Sequence, residues 1–252
     1  MLLRNPFANA FGLNIGDLSI KIVQLKPAPF YKGRAFEIAE VRSTALPPGL
    51  IVNGEIQQAD LVRKKILHIL GKEESNFPLL KSPWVVASLP ETKTFLKLIE
   101  VENNGSGISS VDISYQAKKH LPYEIEDTYV DWQIITPEAE EKKSQVLIGA
   151  VPKTVSDTYS DLLESVGLHP LVLETEAVAI SRAMITADKD YSGQARAILD
   201  LGATRSNLIV YDNNSVQFSS SLNFSGEMVT LAIAQALKID RAQAEQIDRK
   251  ST

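Results

Sequence analysis

The sequence predicts an α/β protein made of two related halves that face each other across a ligand cleft. Three observations lead to this prediction: a glycine-containing pattern that occurs twice, an alternation of strand-like and helix-like segments, and a composition typical of globular proteins. The two copies of the pattern cover residues 12–21 and 198–207. Internal duplication of this kind is typical of two structurally similar units.

Each copy of the pattern predicts a β-hairpin with a tight turn. An apolar run leads to an amide or carboxylate side chain, then to a glycine and small polar residues, and then to a second apolar run. Asn14 corresponds to Asp200, and Gly16 corresponds to Gly202. Because glycine lets the backbone approach a ligand closely, such turns can present N–H groups to an anion. Two of them on opposite sides of a cleft can grip one polyphosphate.

The predicted elements between and after the hairpins alternate regularly. Two successive strand-strand-helix units lie between residues 82 and 168. The predicted elements are a strand at 34–43, a helix at 60–70 capped by Asp60, strands at 84–89 and 94–101, a helix from 110, strands at 129–135 and 145–151, a helix at 154–166, a helix from Glu176, and a helix from Gly226 capped by Ser225.

Composition narrows the class of function. The chain has 252 residues, of which 44% are hydrophobic and 23% charged, enough for a substantial core. The net charge of −5 offers no basic field for nucleic acid. No apolar run approaches the roughly 20 residues of a membrane-spanning helix, and the first residues lack the apolar core of a signal peptide. We therefore expect a cytoplasmic protein that binds no nucleic acid and does not insert into the membrane.

The cysteine and histidine content gives no indication of a metal site or of cysteine-based catalysis. The absence of cysteine excludes disulfides, thiolate catalysis and sulfur-ligated metals. His68, His120 and His169 are far apart in the sequence and lack the spacing of metal motifs. We interpret them as surface or helix-end residues.

Seven stretches, in order along the chain, resemble the PilM family of type IV pilus assembly proteins, relatives of FtsA in the actin, Hsp70 and sugar-kinase superfamily. They are 11–25, 46–56 (LPPGLIVNGEI), 85–101, 116–123 (QAKKHLPY), 151–153, 162–179 and 197–240. The resemblance implies an α/β fold with an actin-like (ribonuclease H-like) first domain, residues 1–81 and 169–195, and an inserted small α+β subdomain, residues 82–168. Residues 196–252 then begin a second actin-like domain, which is expected to be truncated because chains of the family continue farther.

The resemblance also implies a site for ATP or ADP with Mg²⁺ between the hairpins. Asp200 would hold the metal through water, and Glu176 would be the catalytic carboxylate that orients the attacking water. The alternative for Glu176 is structural, since a carboxylate in a first helical turn complements the macrodipole. The phosphate-binding residues would be Asn14, Gly16, Asp17, Ser19, Lys21, Asp200, Gly202, Ala203 and Thr204.

Two residues depart from the pattern of the family. Asn14 stands where the family has an aspartate, and the lost charge weakens Mg²⁺ positioning. We therefore expect at most a weak ATPase, with nucleotide binding less affected than hydrolysis.

Asp17 stands where a small hydroxyl residue is usual. Its carboxylate would repel phosphates if it pointed at them, and we expect it to point to solvent instead. Whether nucleotide binding is retained or lost through truncation or degeneration stays open.

The main hypothesis is a cytoplasmic scaffold, peripheral at the inner membrane through its partners. In the family, the groove between the first domain and the inserted subdomain receives the cytoplasmic N-terminal peptide of the inner-membrane protein PilN, so a PilN-like partner is expected. Trp84, Tyr123 and Trp132 are candidates for the lining of this groove, with core packing as the alternative. Self-association is a further alternative.

Two rival functions remain. A sugar or acetate kinase would need a carboxylate base and an intact Mg²⁺ site, against which Asn14 argues. An FtsA-like division protein would be expected to end in an amphipathic membrane helix, whereas residues 242–250 are too polar for insertion.

Overall fold

The structure is a computed structural model that describes residues 7, 9–28, 36–102, 108–135, 143–185 and 194–250. The predicted loops at 103–107 and 138–141 lie outside these residues. The strands are β1 Phe11–Ile15, β2 Ser19–Pro27, β3 Phe36–Ala45, β4 Ile51–Val52, β5 Glu55–Ile56, β6 Trp84–Leu89, β7 Phe95–Glu102, β8 Thr128–Ile134, β9 Lys143–Pro152, β10 His169–Thr175, β11 Arg196–Leu201, β12 Ser206–Asp212 and β13 Ser215–Leu222. The helices are α1 Ala59–Ile69, α2 Ser110–Lys118, α3 Lys153–Ser165, α4 Glu176–Met184, α5 Gly226–Leu237 and α6 Arg241–Lys250.

The first sheet has the strand order β10-β6-β1-β2-β3. β1 and β2 form the first predicted hairpin, with Asn14 opposite Lys21, and β6 runs parallel to both β1 and β10. Alternate residues of β1 and β2 point into the largest core of the described chain, where α1 and α3 pack. The other alternate positions, among them Asn14 and Lys21, face the opposite side of the sheet.

The second sheet has the order β11-β12-β13-β7-β9-β8. β11 and β12 form the second predicted hairpin, with Asp200 opposite Asn207. β13 meets β7 through one register pair, Phe218 with Lys97. The duplicated hairpins thus lie in two different sheets, and β7, β8 and β9 extend the second one.

The sheet pairing differs from the predicted subdomain bounds. We expected β6 and α3 in the inserted unit at 82–168, but β6 is a central strand of the first sheet. α3 buries Tyr159 and Leu163 in the core of the same sheet. The inserted subdomain and all of the domain bounds stay predictions.

Helix ends follow the predictions closely, with one exception. The hydroxyl of Ser225 accepts a hydrogen bond from the N–H of Met228 at 3.3 Å, which confirms the predicted cap of α5. The prediction that Asp60 caps α1 is wrong, because the N-cap is Gln58 and Asp60 lies in the first turn.

Among the described helices, none combines the length and the apolar character needed to cross a membrane.

Candidate functional site

The two hairpin turns line one cleft of about 870 Å³ between the sheets. The loop after β6, the turn between β4 and β5, and α4 complete its walls. The structure brings every predicted site residue to this cleft: Asn14, Gly16, Asp17, Ser19, Lys21, Glu176, Asp200, Gly202, Ala203 and Thr204. Their individual roles stay predictions.

Both halves of the molecule hold the carboxylate of Glu176. The side-chain nitrogen of Asn14 donates to Oε1 at 2.9 Å, and that of Asn207 donates to Oε2 at 3.3 Å. The same nitrogen of Asn14 also lies 2.8 Å from the hydroxyl of Ser88, to which it donates. An aspartate at position 14 could not donate these bonds, because an ionised carboxylate only accepts. Asn14 therefore satisfies Oε1 of Glu176 through its amide.

Glu91 is a member of the site that sequence reasoning missed. It follows β6, is only 7% exposed, and accepts a hydrogen bond from the hydroxyl of Ser219 at Oε1. Its Oε2 is buried without a hydrogen-bond partner among the described residues. The backbone N–H of Ala177, in the first turn of α4, acts to lower the pKa of Glu91, and the N–H of Glu91 acts in the same way on Glu176. A lone glutamate in a loop carries no local signal that would have revealed this role.

Two carboxyl groups at the cleft have raised pKa values. Burial raises the pKa of Glu91, against the hydrogen bond from Ser219. Burial also raises the pKa of Glu176, and the negative charges of Glu91 and Asp200 raise it further, while the hydrogen bond from Asn14 opposes the change. Both groups therefore become protonated at a higher pH than an exposed glutamate does.

Asp17 does not point to solvent, and that expectation is wrong. Its carboxylate accepts hydrogen bonds from the backbone N–H groups of Asn53 and Gly54, each at 3.0 Å. It also accepts one from the hydroxyl of Thr204 at 3.1 Å. The reason is long-range: the donors belong to a distant turn and to the opposite hairpin, which local sequence does not bring together.

The turn Asn53–Gly54 between β4 and β5 is a second feature that was missed. Its φ angles are 51° and 76°, as a type I′ turn requires, and Asn-Gly is the strongest short-range signal for that turn. A Cβ at Gly54 would lie 2.5 Å from Pro90, and the carbonyl of Gly54 accepts the hydroxyl of Tyr159 at 3.0 Å. The Asn-Gly pair could therefore have revealed the turn, but not its position at the cleft.

The glycines of the two hairpins differ in how strictly they are required. A Cβ at Gly202 would lie 2.2 Å from the carbonyl oxygen of Arg205, whereas one at Gly16 would lie 3.5 Å from that of Ser19. The second turn is also attached to α5, since the N–H of Gly226 donates to the carbonyl of Gly202 at 3.0 Å. Close backbone approach thus requires glycine in the second hairpin only.

Asp200, the predicted metal residue, lines the cleft, and no described side chain donates a hydrogen bond to it. Among the described residues, no group of three or more His, Cys, Asp or Glu side chains is arranged to hold a metal ion. The prediction that Asp200 holds Mg²⁺ through water stays a prediction.

The predicted aromatic residues lie away from the cleft. Trp84 packs edge-on against Phe7, with ring centroids 5.1 Å apart, and against His169 at 5.4 Å. Trp132 lies on β8 and is 38% exposed. None of Trp84, Tyr123 and Trp132 is among the described residues that line the cleft. A groove lined by them stays a prediction.

Comparison with known proteins identifies the fold and the family. The structure is similar to that of a PilM-PilN type IV pilus biogenesis complex, with a TM-score of 0.78 and 23% identity over 97% of this chain and 70% of the other. It is also similar to the ethanolamine utilization protein EutJ from Carboxydothermus hydrogenoformans, with a TM-score of 0.55 and 12% identity over 97% and 62%. MreB5 of Spiroplasma citri bound to AMPPNP gives a TM-score of 0.50 and 11% identity over 96% and 62%.

These likenesses confirm the predicted actin-like α/β fold. The family model described as type IV pilus assembly protein PilM matches residues 12–252, which is nearly the whole chain. The chain therefore belongs to the family of type IV pilus assembly proteins PilM.

Proposed function

We propose that this pilus assembly protein is a scaffold that binds ATP or ADP in the cleft and a cytoplasmic peptide of a PilN-like inner-membrane protein on its surface. The observation that carries the nucleotide part is the placement of two glycine turns across one cleft of about 870 Å³. That volume falls in the usual range for small-molecule sites. MreB5, an actin-like neighbour, is bound to AMPPNP.

Different residues of the cleft would bind the phosphates and the metal ion of the nucleotide. Lys21 lines the cleft from β2 and can meet a phosphate as a point charge. Gly202 is required by its own turn, because a Cβ there would lie 2.2 Å from the carbonyl oxygen of Arg205, and as a glycine it leaves no side chain over the backbone of the turn. Asp200 would hold Mg²⁺ through its water shell, and the cation would neutralise phosphate charge.

Hydrolysis in this site is expected to be slow. Glu176 is the carboxylate best placed to orient a water, but both of its oxygens already accept amide donors from Asn14 and Asn207. Burial also raises its pKa, which reduces the fraction of Glu176 that is ionised and able to accept a proton at a given pH. We therefore propose a structural or regulatory nucleotide, with at most weak ATPase activity.

Calorimetry with ATP and ADP, with and without Mg²⁺, tests the nucleotide site. Asp200→Ala should weaken binding at least about tenfold, or about 1.4 kcal/mol. Asp60→Ala, on the exposed start of α1, is the matched control and should bind as the wild type does. Equal affinity in all three proteins would put the nucleotide elsewhere, and no binding by folded wild-type protein would reject the site.

The peptide partner is proposed from the solved relative, whose name pairs PilM with PilN. Such a partner would hold this protein at the inner membrane from the cytoplasmic side. A fluorescent peptide from the cytoplasmic N-terminus of the PilN-like protein should increase in anisotropy on titration, and a scrambled peptide should not. Equal signals from the two peptides would contradict a specific peptide site.

A further inference from the structure

We propose that Asp17 is an internal latch, which ties the two hairpin turns together across the cleft and must release when a phosphate group enters. The proposal rests on the nucleotide site proposed above and adds a mode of regulation to it. Two independent observations support it: the set of donors around Asp17, and the rigidity of the turn that supplies two of them.

The surroundings of Asp17 are those of a small anion site. Oδ1 accepts from the N–H of Gly54, and Oδ2 accepts from the N–H of Asn53 and from the hydroxyl of Thr204. Backbone N–H groups and hydroxyls are the usual donors to bound phosphates and carboxylates. Asp17 thus supplies, from within the chain, the negative charge that these donors can bind.

The latch joins parts of the chain that are remote in sequence. Thr204 is 187 residues beyond Asp17 and lies in the turn of the second hairpin. A parallel tie runs from Nε of Arg205 to the side-chain oxygen of Asn53 at 2.9 Å. Both contacts connect the second hairpin to the first half of the molecule, the first at Asp17 and the second at Asn53.

The Asn53–Gly54 turn is held in place independently of Asp17. The carbonyl of Asn53 accepts a hydrogen bond from the hydroxyl of Thr92 at 2.8 Å. The carbonyl of Gly54 accepts one from the hydroxyl of Tyr159 at 3.0 Å. Tyr159 is 1% exposed, so the support is part of the core. Donors fixed in this way bind an anion without reorganisation, which strengthens the latch.

A phosphate in the cleft competes with this arrangement in two ways. The hydroxyl of Thr204, a predicted phosphate ligand, already donates its proton to Asp17. The carboxylate also repels a polyphosphate in a partly dry cleft. Nucleotide binding therefore breaks the Asp17–Thr204 contact and frees the second hairpin to move. By linkage, removing the latch should raise nucleotide affinity.

The test uses the full chain with Asp17→Ser and Asp17→Asn, and with the exposed Asp60→Asn as matched control. Asp17→Asn keeps the shape of the side chain, so it covers the case in which the serine variant folds poorly. The first measurement is hydrogen exchange in the ligand-free protein. Amides of Asn53 and Gly54 and of the turn at 202–205 should exchange about tenfold faster in Asp17→Ser, because their acceptor or tie is lost. The increase should be smaller in Asp17→Asn, because its amide keeps one acceptor oxygen.

The second measurement is ATP affinity by calorimetry, which should increase about tenfold in Asp17→Ser. Faster exchange together with tighter binding supports the latch. Unchanged exchange overturns it whatever the nucleotide does, and faster exchange with unchanged ATP affinity overturns the competition with phosphate. If neither wild type nor variant binds ATP, the nucleotide site itself fails, and faster exchange would still establish the tie between the turns.

Discussion

At the scale of single residues, the centre of the cleft depends on amide groups that satisfy carboxylates. Asn14 and Asn207 donate from opposite halves to Glu176, so two amide groups satisfy its carboxyl oxygens. The arrangement gives the amide of Asn14 a structural role that an aspartate could not take. It also makes the site sensitive to any change that replaces a donor with an acceptor.

Asn14→Asp should destabilise the protein by about 1–3 kcal/mol, because it replaces a donor with a second carboxylate beside Glu176. Added Mg²⁺ should restore part of the loss, since a cation can bridge the two carboxylates. Urea unfolding with and without Mg²⁺ measures both effects. Asn76→Asp, at an exposed position, is the control. Equal stability of Asn14→Asp and wild type would contradict the donor role.

Glu91 makes stability depend on pH with a definite sign. Because burial raises its pKa above the usual 4.5, the native protein binds a proton more tightly than the unfolded chain does. The free energy of unfolding should therefore decrease as pH rises from about 4.5 through the raised pKa. Glu91→Gln cannot lose a proton and should flatten this dependence.

Urea unfolding at several pH values between 4.5 and 7.5 checks the prediction for Glu91. The exposed Glu102→Gln should keep the wild-type slope. A slope that is unchanged in Glu91→Gln would assign the pH dependence to other groups, with Glu176 as the first candidate.

The two hairpin glycines should respond differently to alanine. Gly202→Ala places a Cβ 2.2 Å from the carbonyl of Arg205 and should cost about 2 kcal/mol or more of stability, because backbone must move. Gly16→Ala meets only an ordinary contact at 3.5 Å and should change stability little. Thermal unfolding compares the two variants directly. Equal losses would mean that the two turns have similar steric requirements.

At the scale of elements, a buried arginine connects the edge of the first sheet to α1. Arg42 on β3 is 2% exposed, and Nη1 donates to the carbonyl of Ile69 at 2.7 Å. Nε donates to Glu40 at 2.6 Å. A helix end that is buried needs partners for its last carbonyls, and Arg42 supplies one to the last turn of α1.

Arg42→Ala should therefore destabilise the protein by about 1–3 kcal/mol, because it leaves the buried carbonyl of Ile69 without its donor. Lys26→Ala removes the more exposed pair with Glu37 on the neighbouring strands and should cost about 0–1 kcal/mol. Urea unfolding of both variants gives the difference. A similar small loss in both would show that Arg42 is replaceable by packing around it.

At the scale of the whole molecule, burial is uneven between the two sheets. The first sheet, α1 and α3 share the largest cluster of buried side chains in the described chain, whereas the core that joins β12 and β13 to α4 is smaller. On the edge strand β11, Leu199 is 53% exposed and Leu201 is 60% exposed. The second half thus has less apolar burial to resist local opening.

Amide hydrogen exchange should accordingly be slower in the first sheet than in the second. Amides of β1 and β6 should exchange slowest, near the global unfolding limit, and those of β11 should exchange fastest among the paired strands. Nucleotide should slow exchange at the turn at 202–205 if the proposed site is correct. Uniform protection of both sheets would contradict this view and indicate a single cooperative unit.

The sequence by itself determined the duplicated hairpins and the meeting of their turns at one cleft. Local periodicity specifies strands and turns, and duplication implies two facing units. The helices from Gly226 and Glu176 could be predicted for the same reason, since caps and apolar spacing act within a few residues.

Only the tertiary structure decided where side chains at the cleft point and which sheet each strand joins. Asp17 turns toward Asn53, Gly54 and Thr204, and Glu91 meets α4 and Ser219, through contacts between residues from 36 to 187 positions apart. The assignment of β6 to the first sheet likewise depends on pairing with β1 and β10. These contacts form because buried polar groups need hydrogen-bond partners when remote segments pack together. A local sequence pattern contains no information about which remote segment supplies the partner.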